Sequence, residues 1–163
     1  MRNLRVACVY LGVLCWPLLG CRAAPPGKLE SICVQWIKHH VTIQGRSDVN
    51  PLRSTPEAVN KGMRIFSFYC VVCHGRDGQN TGVPFADRMS PAVPNLRSHE
   101  VQSYNDGQLR WIIENGIKPS GMPASKGILS DQEIWALVIY LRHLPPPGSL
   151  GEPRAYSEQE YAK

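Results

Sequence analysis

Two cysteines and a histidine form the most reactive cluster of the chain. Cys70 and Cys73 lie three positions apart and His74 follows directly, in the stretch SFYCVVCHGRDGQ at residues 67–79. Thiols and an imidazole at this spacing can form a disulfide, bind zinc, carry out thiol redox chemistry or attach a haem covalently. The predicted secondary structure around the cluster, and the other possible ligands in the chain, distinguish these possibilities.

Thiol redox chemistry and zinc binding fit the surroundings poorly. A redox pair is served by a thioredoxin-like sheet, whereas here the motif closes a predicted helix and no alternation of strands and helices surrounds it. Structural zinc needs four ligands, commonly two cysteine pairs or one pair with two spaced histidines. The chain has one pair, and its other histidines lack finger-like spacing: His39, His40, His99 and His143.

A covalently attached haem c uses every residue of the cluster. The two thiols would bind the vinyl groups as thioethers, and His74 would be the proximal iron ligand. The iron then requires a distal ligand, and Met122, between Gly121 and Pro123 in the loop GIKPSGMPAS, is the expected one. Met63, on the preceding helix, is expected in the core. The alternative distal ligands are Met89, His99 and His143.

Three helices are expected to position these ligands. The first begins at about Pro56, with Thr55 as its N-cap, and runs into the cysteine cluster. The second ends at Gly116. The third begins at a capping box of Ser130 and Glu133, carries a continuous apolar stripe and ends before a run of three prolines. Three helices and long Gly- and Pro-rich loops leave a small core, which a large apolar group would complete.

The first 20 residues have the pattern of an export signal. Arg2 and Arg5 precede an uncharged apolar run that is shorter than the roughly 20 residues of a transmembrane helix. The junction LLGC resembles a lipobox, which implies cleavage before Cys21 and acylation of its thiol. We expect a periplasmic protein that is anchored in the membrane through Cys21. Cleavage a few residues further on, with release of a soluble protein, is the alternative.

The remaining features of the mature chain point to no further ligand class. Residues 21–53 are expected to form a tether or N-terminal extension, in which Cys33 has no obvious partner. Without Arg2 and Arg5 the 18 basic residues fall to 16, against 13 acidic ones, so the net charge is small. No block of basic residues interleaved with aromatic residues is present in the sequence. The charge therefore gives no argument for a nucleic-acid partner.

Residues from about 54 to 145 resemble a class I, single-haem cytochrome c domain of the bacterial kind. Beyond CVVCH and the SGMPA loop, Gly62 and Phe66 have the spacing at which the first helix of that family crosses the last. Leu137 and Tyr140 match the leucine and the aromatic residue on the other side of this crossing. Glycine there allows close approach of the two backbones, and the aromatic rings pack beside it.

The resemblance implies an all-α fold of three main helices and long loops around one covalently bound haem, over residues 54–147. A polar tail at 148–163, which we expect to be frayed, would follow. In the family, the carbonyl of a proline after the attachment site accepts a hydrogen bond from the proximal histidine. Pro84 and Pro94 both qualify for this role. The expected walls of the haem pocket are Phe85, Leu96, Trp111, Ile112 and Tyr140.

The expected function is electron transfer. With His74 and Met122 on the two sides of the iron no position stays open for a substrate, so we expect a one-electron carrier that cycles between Fe(III) and Fe(II), not an enzyme. Its partners would be the redox proteins of a bacterial respiratory or related chain, steered by Lys118 and Lys126, with no nucleic acid and no small-molecule substrate. The alternative is a haem subunit of an oxidoreductase complex, or a sensor whose Met122 dissociates.

Overall fold

The computed structural model describes residues 47–156 and five single positions, namely Leu29, Cys33, Trp36, Ile37 and Ile43. The chain divides into two units, Met1–Val34 and Gln35–Lys163, and residues 47–156 belong to the second. In the first unit Leu29 and Cys33 are exposed, and Cys33 is a free thiol. The predicted export signal, Cys21 and most of the predicted tether lie outside the described residues. No helix in the described part of the chain is long and apolar enough to cross a bilayer.

Residues 47–156 form helices joined by long loops. The α-helices are α1 (Pro56–Tyr69), α2 (Val71–His74), α3 (His99–Gln102), α4 (Asp106–Asn115) and α5 (Asp131–Arg142). Short 3₁₀ turns lie at Ala86–Arg88, Lys118–Ser120 and Arg154–Tyr156. Over this stretch the only β-type pairings are isolated bridges, Ile117 with Met122 and Lys126 with Leu129. The all-α architecture expected from the sequence, with α1, α4 and α5 as its main helices, is confirmed.

The ends of the main helices follow from the capping residues that the sequence predicted. The Thr55 hydroxyl accepts a hydrogen bond from the Ala58 amide at 3.3 Å, ahead of α1. At the start of α5 a carboxylate oxygen of Glu133 accepts from the amide and the hydroxyl of Ser130, at 2.8 and 2.6 Å. Helix α4 ends at Gly116, whose φ of 68° favours glycine.

Two local features were not predicted. Helix α3 has only four residues, and its N-cap is Ser98, whose hydroxyl accepts from the Val101 amide. Helix α4 begins with a capping box in which Asn105 and Gln108 each accept a hydrogen bond from the backbone of the other, at 2.8 and 3.0 Å. An asparagine followed three positions later by glutamine is a weaker sequence signal than the serine and glutamate of α5.

The predicted crossing of the first and last helices is confirmed. A Cβ atom added to Gly62 of α1 would fall on the carbonyl oxygen of Ala136 and lie 2.7 Å from Cβ of Tyr140 on α5. Beside this contact the rings of Phe66 and Tyr140 pack with their centroids 5.3 Å apart, and Leu137 is buried. Only glycine at position 62 lets the two backbones approach this closely.

Helix α5 is the centre of the core. Its residues from Ile134 to Leu141 are all buried, because α1 and α4 pack on it and the chain before α1 also contacts it. In that preceding segment Ile43 joins the core cluster, and the Asn50 side chain donates to the carbonyl of Trp135 at 3.1 Å. Part of the predicted extension is therefore packed against the helical domain.

The end of the described chain is also packed, so the expectation of a frayed tail is wrong for residues 148–156. We call residues 145–156 the C-terminal strap. Arg97 donates to the carbonyl of Pro145 at 3.1 Å, and the Gln79 side chain donates to the same carbonyl at 3.0 Å. Further along, the Gly148 amide is hydrogen-bonded and Pro153 is fully buried. Hydrogen bonds to polar groups hold the C-terminal strap in place. The polar composition of the segment did not predict these bonds.

Candidate haem site

The cysteine cluster lies where α1 runs into α2. Cys70 caps α1, its amide donating to the Phe66 carbonyl at 2.9 Å, and the His74 amide donates to the Cys70 carbonyl at 2.9 Å. Cys70 and Cys73 are free, half-buried thiols. Two consecutive helices, with Cys70 between them, thus carry the two thiols and the imidazole, and α1 runs into the cluster as the sequence predicted.

The protonation state of Cys70 opposes thiol redox chemistry. Burial, with a smaller contribution from neighbouring Cys73, raises the pKa of the Cys70 thiol to about 12. A redox cysteine reacts as the thiolate and usually has a pKa below that of free cysteine. The shift here has the opposite sign. The Cys70 thiol is therefore poorly suited to disulfide exchange.

His74 is half-buried, and its ring is largely shielded from water. Burial lowers the pKa of its imidazole to about 4, and an interaction with the backbone of Pro94 partly opposes that shift. Its Nδ1 atom is buried and has no hydrogen-bond partner among the described residues. The Pro94 contact is thus a close approach and not a formed hydrogen bond. Of the two prolines that the sequence left open, Pro94 and not Pro84 interacts with the ring.

The loop after the cluster fixes the position of Pro94. The amide of Asn80, a residue with φ of 65°, donates to the His74 carbonyl at 2.9 Å, and its side chain donates to the Val93 carbonyl at 2.8 Å. Beyond the proline, the Leu96 amide donates to the Gly78 carbonyl at 2.9 Å. These contacts fold the loop back so that Pro94 lies beside the imidazole.

A buried carboxylate links this loop to the C-terminal strap. Asp77 is fully buried, at 0% exposure. It accepts hydrogen bonds from the Gln79 amide at 2.9 Å, the Thr81 hydroxyl at 2.5 Å and the Gly148 amide at 2.7 Å. Burial alone would raise the pKa of Asp77, but the donors from Thr81, Gly148 and Gln79 together lower it below its usual value. Asp77 is therefore a charged acceptor, and the sequence analysis missed it.

Met122 lies on a loop that is attached to the end of α4. The Ile117 amide donates to the Met122 carbonyl at 3.0 Å, and Ser125 donates to the Ile113 carbonyl through its amide at 3.1 Å and its hydroxyl at 2.9 Å. Gly116 has no room for a side chain, because a Cβ there would lie 2.5 Å from the Met122 carbonyl oxygen. The Met122 side chain is half-buried against the core cluster.

The other candidate ligands have different positions. The methyl carbon of Met89 lies 3.8 Å from the place where a Cβ on Gly121 would stand, so Met89 is next to the Met122 loop. Met63 is 39% exposed, so its expected place in the core is wrong: it is one position away from the buried stripe of α1. His143 caps α5, with Nδ1 2.8 Å from the Ile139 carbonyl. His99 is exposed on α3.

The apolar side chains expected around a haem lie in three different environments. Leu96, Trp111 and Ile112 are half-buried and pack against the core cluster, as Met122 does. Tyr140 is buried in the helix crossing. Phe85 meets the C-terminal strap instead, with its ring edge-on to Tyr156 at a centroid distance of 5.9 Å.

These residues fit a covalently bound haem. Two thiols precede an imidazole that has one buried, unpartnered nitrogen beside a proline carbonyl, and a half-buried thioether lies on a separate loop. Half-buried apolar side chains that pack against the same core cluster as Met122 would gain further burial from a large flat apolar ring. Among the described residues no three His, Cys, Asp or Glu side chains cluster in a way that could hold a metal ion by themselves.

Comparison with known proteins gives two matches. Residues 57–141, more than half of the 163 residues, match the family model described as cytochrome C oxidase, cbb3-type, subunit III. A curated relative, the quinohemoprotein alcohol dehydrogenase ADH IIB of Pseudomonas putida, is 25% identical over 91 residues. These residues are 56% of this chain but 12% of that protein, so the similarity covers a small part of the relative.

Proposed function

Since this chain belongs to the c-type cytochrome family described as cytochrome C oxidase, cbb3-type, subunit III, we propose that it works as a one-electron carrier. Membership brings the all-α class I cytochrome c fold, covalently bound haem c and haem-based electron transfer. When bound, the haem supplies an iron that takes up and releases one electron. We assign Cys70 and Cys73 to covalent attachment of the haem, and His74 and Met122 would be the residues that bind its iron.

The observation that carries this assignment is the state of the His74 ring. Nδ1 is buried and unpartnered, and the Pro94 backbone lies beside the ring. A histidine that binds a metal through one nitrogen usually donates the other N–H to a carbonyl or carboxylate, which fixes the ring orientation. The low pKa of His74 also keeps the imidazole neutral, which is the form that binds iron.

Met122 would close the other side of the iron. Its half-buried thioether lies on a loop that α4 holds through backbone hydrogen bonds, so the sulfur can be presented at a defined place. A thioether ligand favours Fe(II) and raises the reduction potential of a haem. With both axial positions filled, no site for a substrate stays open. The chain would therefore transfer electrons without performing a reaction of its own.

Replacement of Met122 by alanine tests the distal assignment. Mass spectrometry of the purified protein first establishes that one haem is attached. The Met122→Ala protein should then keep its haem but bind carbon monoxide in the reduced state, whereas the wild type should hardly respond. Met89→Ala and Met63→Ala are matched controls and should behave like the wild type. If Met89→Ala alone opens the haem to carbon monoxide, Met89 is the ligand and our assignment is wrong.

Partner recognition would use the exposed lysines near Met122. Lys118 and Lys126 flank this residue by four positions on either side, and both are exposed. Positive charge around a redox site steers acidic partners mainly by raising the association rate, an effect that salt weakens. The Lys118→Glu, Lys126→Glu double variant should therefore lose the salt dependence of electron transfer to an acidic partner. An unchanged salt slope would remove these lysines from the docking surface.

We also propose that the chain is exported and attached to a membrane, because its first residues have the pattern of an export signal and cytochrome c domains typically work outside the cytoplasm. Acylation of Cys21 would anchor the domain through residues 22–53, and a flexible chain of that length spans ~30 Å. This reach would let the domain move between a donor and an acceptor on one membrane. Mass spectrometry of the mature N-terminus tests the proposal, because an unmodified Cys21 would contradict it.

A permanent haem subunit is the second candidate. The family is described as an oxidase subunit, and the relative is a dehydrogenase of which the similar region is a small part. Both support a domain that stays bound to an enzyme. Extraction from membranes in mild detergent distinguishes the two: a free carrier migrates at its own mass, whereas a subunit migrates with a larger complex.

A further inference from the structure

Helix α2, which carries Cys73 and His74, is too short to satisfy its own carbonyl groups. A helix of four residues leaves its last carbonyls without partners inside the helix. Two of them find partners nearby in the chain: the Val71 carbonyl accepts from the Gly75 amide and the His74 carbonyl from the Asn80 amide, each at 2.9 Å. The Val72 carbonyl lies between them in the helix.

The partner of the Val72 carbonyl comes from the far end of the described chain. The Tyr156 hydroxyl donates to it at 2.8 Å, across a sequence separation of 84 residues. This bond reaches into the attachment motif itself, one position before Cys73. The C-terminal strap therefore supplies a capping contact that the motif lacks on its own.

The strap is anchored along its length, so the Tyr156 hydroxyl has a defined position. The Gly148 amide is bound by the buried carboxylate of Asp77 at 2.7 Å. Further on, Glu152 crosses Gly82 so closely that a Cβ there would lie 3.0 Å from the Glu152 Cα atom. The ring of Tyr156 then meets Phe85 edge-on, at an interplanar angle of 81°.

We propose that Tyr156 is a positioning residue of the haem site, which holds the Val72 carbonyl and thereby fixes the short helix that carries His74. This inference rests on the proposed function, because it takes His74 as the iron ligand. Tyr156 acts through α2 and need not touch the haem. Burial raises the pKa of its hydroxyl, which therefore stays protonated and able to donate at neutral pH.

The test compares Tyr156→Phe with Tyr69→Phe in the haem-loaded full chain. Both variants remove one hydroxyl, but Tyr69 is an exposed residue at the end of α1. Hydrogen exchange at the His74 and Gly75 amides should become about fivefold faster in Tyr156→Phe, as expected for the loss of one ordinary hydrogen bond. Tyr69→Phe should exchange like the wild type.

Two readouts at the iron separate positioning from mere stabilisation. The spread of the haem-methyl NMR shifts in the ferric protein depends on the orientation of the axial imidazole, so it should change in Tyr156→Phe and not in Tyr69→Phe. The reduction potential should shift in the same variant. Phe85→Leu, which keeps the hydroxyl but removes the ring contact, should give a smaller change in the same direction.

Unchanged methyl shifts and potential in Tyr156→Phe would overturn the proposal, whether or not exchange becomes faster. The wild type distinguishes this failure from a failure of the proposed function. If the wild-type ferric protein shows no histidine ligand at its iron, the assignment of His74 is wrong, whatever the variants show. The positioning role of Tyr156 is then wrong as well.

Discussion

The two sides of the candidate haem site are held in different ways. On the histidine side, Asn80 and Asp77 hold the loop that follows His74 from within, and the C-terminal strap binds Asp77 and Val72 across 71 and 84 positions. On the methionine side, the hydrogen bonds of the Met122 loop go to α4 and to Ile117 just after it, and Gly121 and Pro123 beside Met122 are exposed. We therefore expect the segment that carries His74 to stay in place, and the loop that carries Met122 to be displaced first.

This difference has a consequence for electron transfer. A carrier needs little rearrangement of its ligands, and the hydrogen bonds of Asn80, Asp77 and Tyr156 limit movement of the segment that carries the imidazole. The thioether side depends on a few backbone hydrogen bonds, so it is where an external ligand such as carbon monoxide would compete. Variants that weaken one side and leave the other intact test this difference.

The largest effect is expected at Asp77. Asp77→Ala would leave the Gly148 and Gln79 amides and the Thr81 hydroxyl without their acceptor. Buried donors without partners destabilise a fold, here by about 3 kcal/mol. Urea denaturation measures the loss, with Asp87→Ala, an exposed aspartate of the same loop, as control. Equal midpoints for both variants would mean that the strap does not stabilise the histidine side.

Acid should remove part of the same interaction. The pKa of Asp77 is lowered in the folded protein, so its contribution is present above the unfolded-state pKa of about 3.9 and is lost as the pH falls through the lower folded value. Tyr140, the other titratable group influenced by Asp77, stays protonated over this range because burial, and then Asp77, raise its pKa.

We therefore expect the stability difference between wild type and Asp77→Asn to be constant near neutral pH and to shrink below about pH 4. Chemical denaturation at several pH values measures it, and Asp87→Asn should show no such convergence. A difference that stays constant down to pH 2 would contradict the assignment of the carboxylate as the charged anchor.

The sequence predicted the features that depend on local patterns. The capping residues Thr55 and Ser130 and the glycine of the α1 and α5 crossing at Gly62 were read from spacing, because each acts on neighbours at fixed helical distances. The cysteine and histidine motif is local in the same way. The comparison with known proteins confirms the family to which these patterns pointed, while the ligand assignments stay predictions.

The anchors of the histidine side could not be predicted in the same way. Asp77 binds Gly148 and Tyr156 binds Val72 across 71 and 84 positions, and nothing in a polar, Gly- and Pro-rich segment indicates which donor meets which acceptor. The choice between Pro84 and Pro94 depended on the path of a loop whose length the sequence gives but whose fold it does not.

On the methionine side, Gly121 provides a test with a close internal control. Gly121 and Gly127 have φ values of 76° and 81°, so alanine is strained at both and should destabilise each by about 1 kcal/mol. Only Gly121 adjoins Met122 and contacts Met89; nothing lies within 4 Å of the Cβ position at Gly127. Carbon monoxide binding to the reduced protein should rise in Gly121→Ala and stay at the wild-type level in Gly127→Ala.

Wild-type carbon monoxide binding in both glycine variants would show that the loop presents Met122 more rigidly than its few attachments indicate. The conclusion that the Met122 loop is held less firmly than the His74 segment would then be wrong. An increase in both variants would place the weak point in the turn after the loop instead.

The smallest effect is expected from the hydroxyl of Ser125. It donates to the Ile113 carbonyl at 2.9 Å and so adds a side-chain bond to the attachment of the Met122 loop on α4, whereas the Ser120 hydroxyl bonds only to Ile117 within its own turn. Ser125→Ala should cost about 0.5–1 kcal/mol of unfolding free energy, because the carbonyl keeps the Ser125 amide as a donor. Carbon monoxide binding should rise slightly in this variant and not in Ser120→Ala. If both variants bind carbon monoxide like the wild type, the backbone bonds alone hold the methionine loop, and its resistance to opening is set by α4.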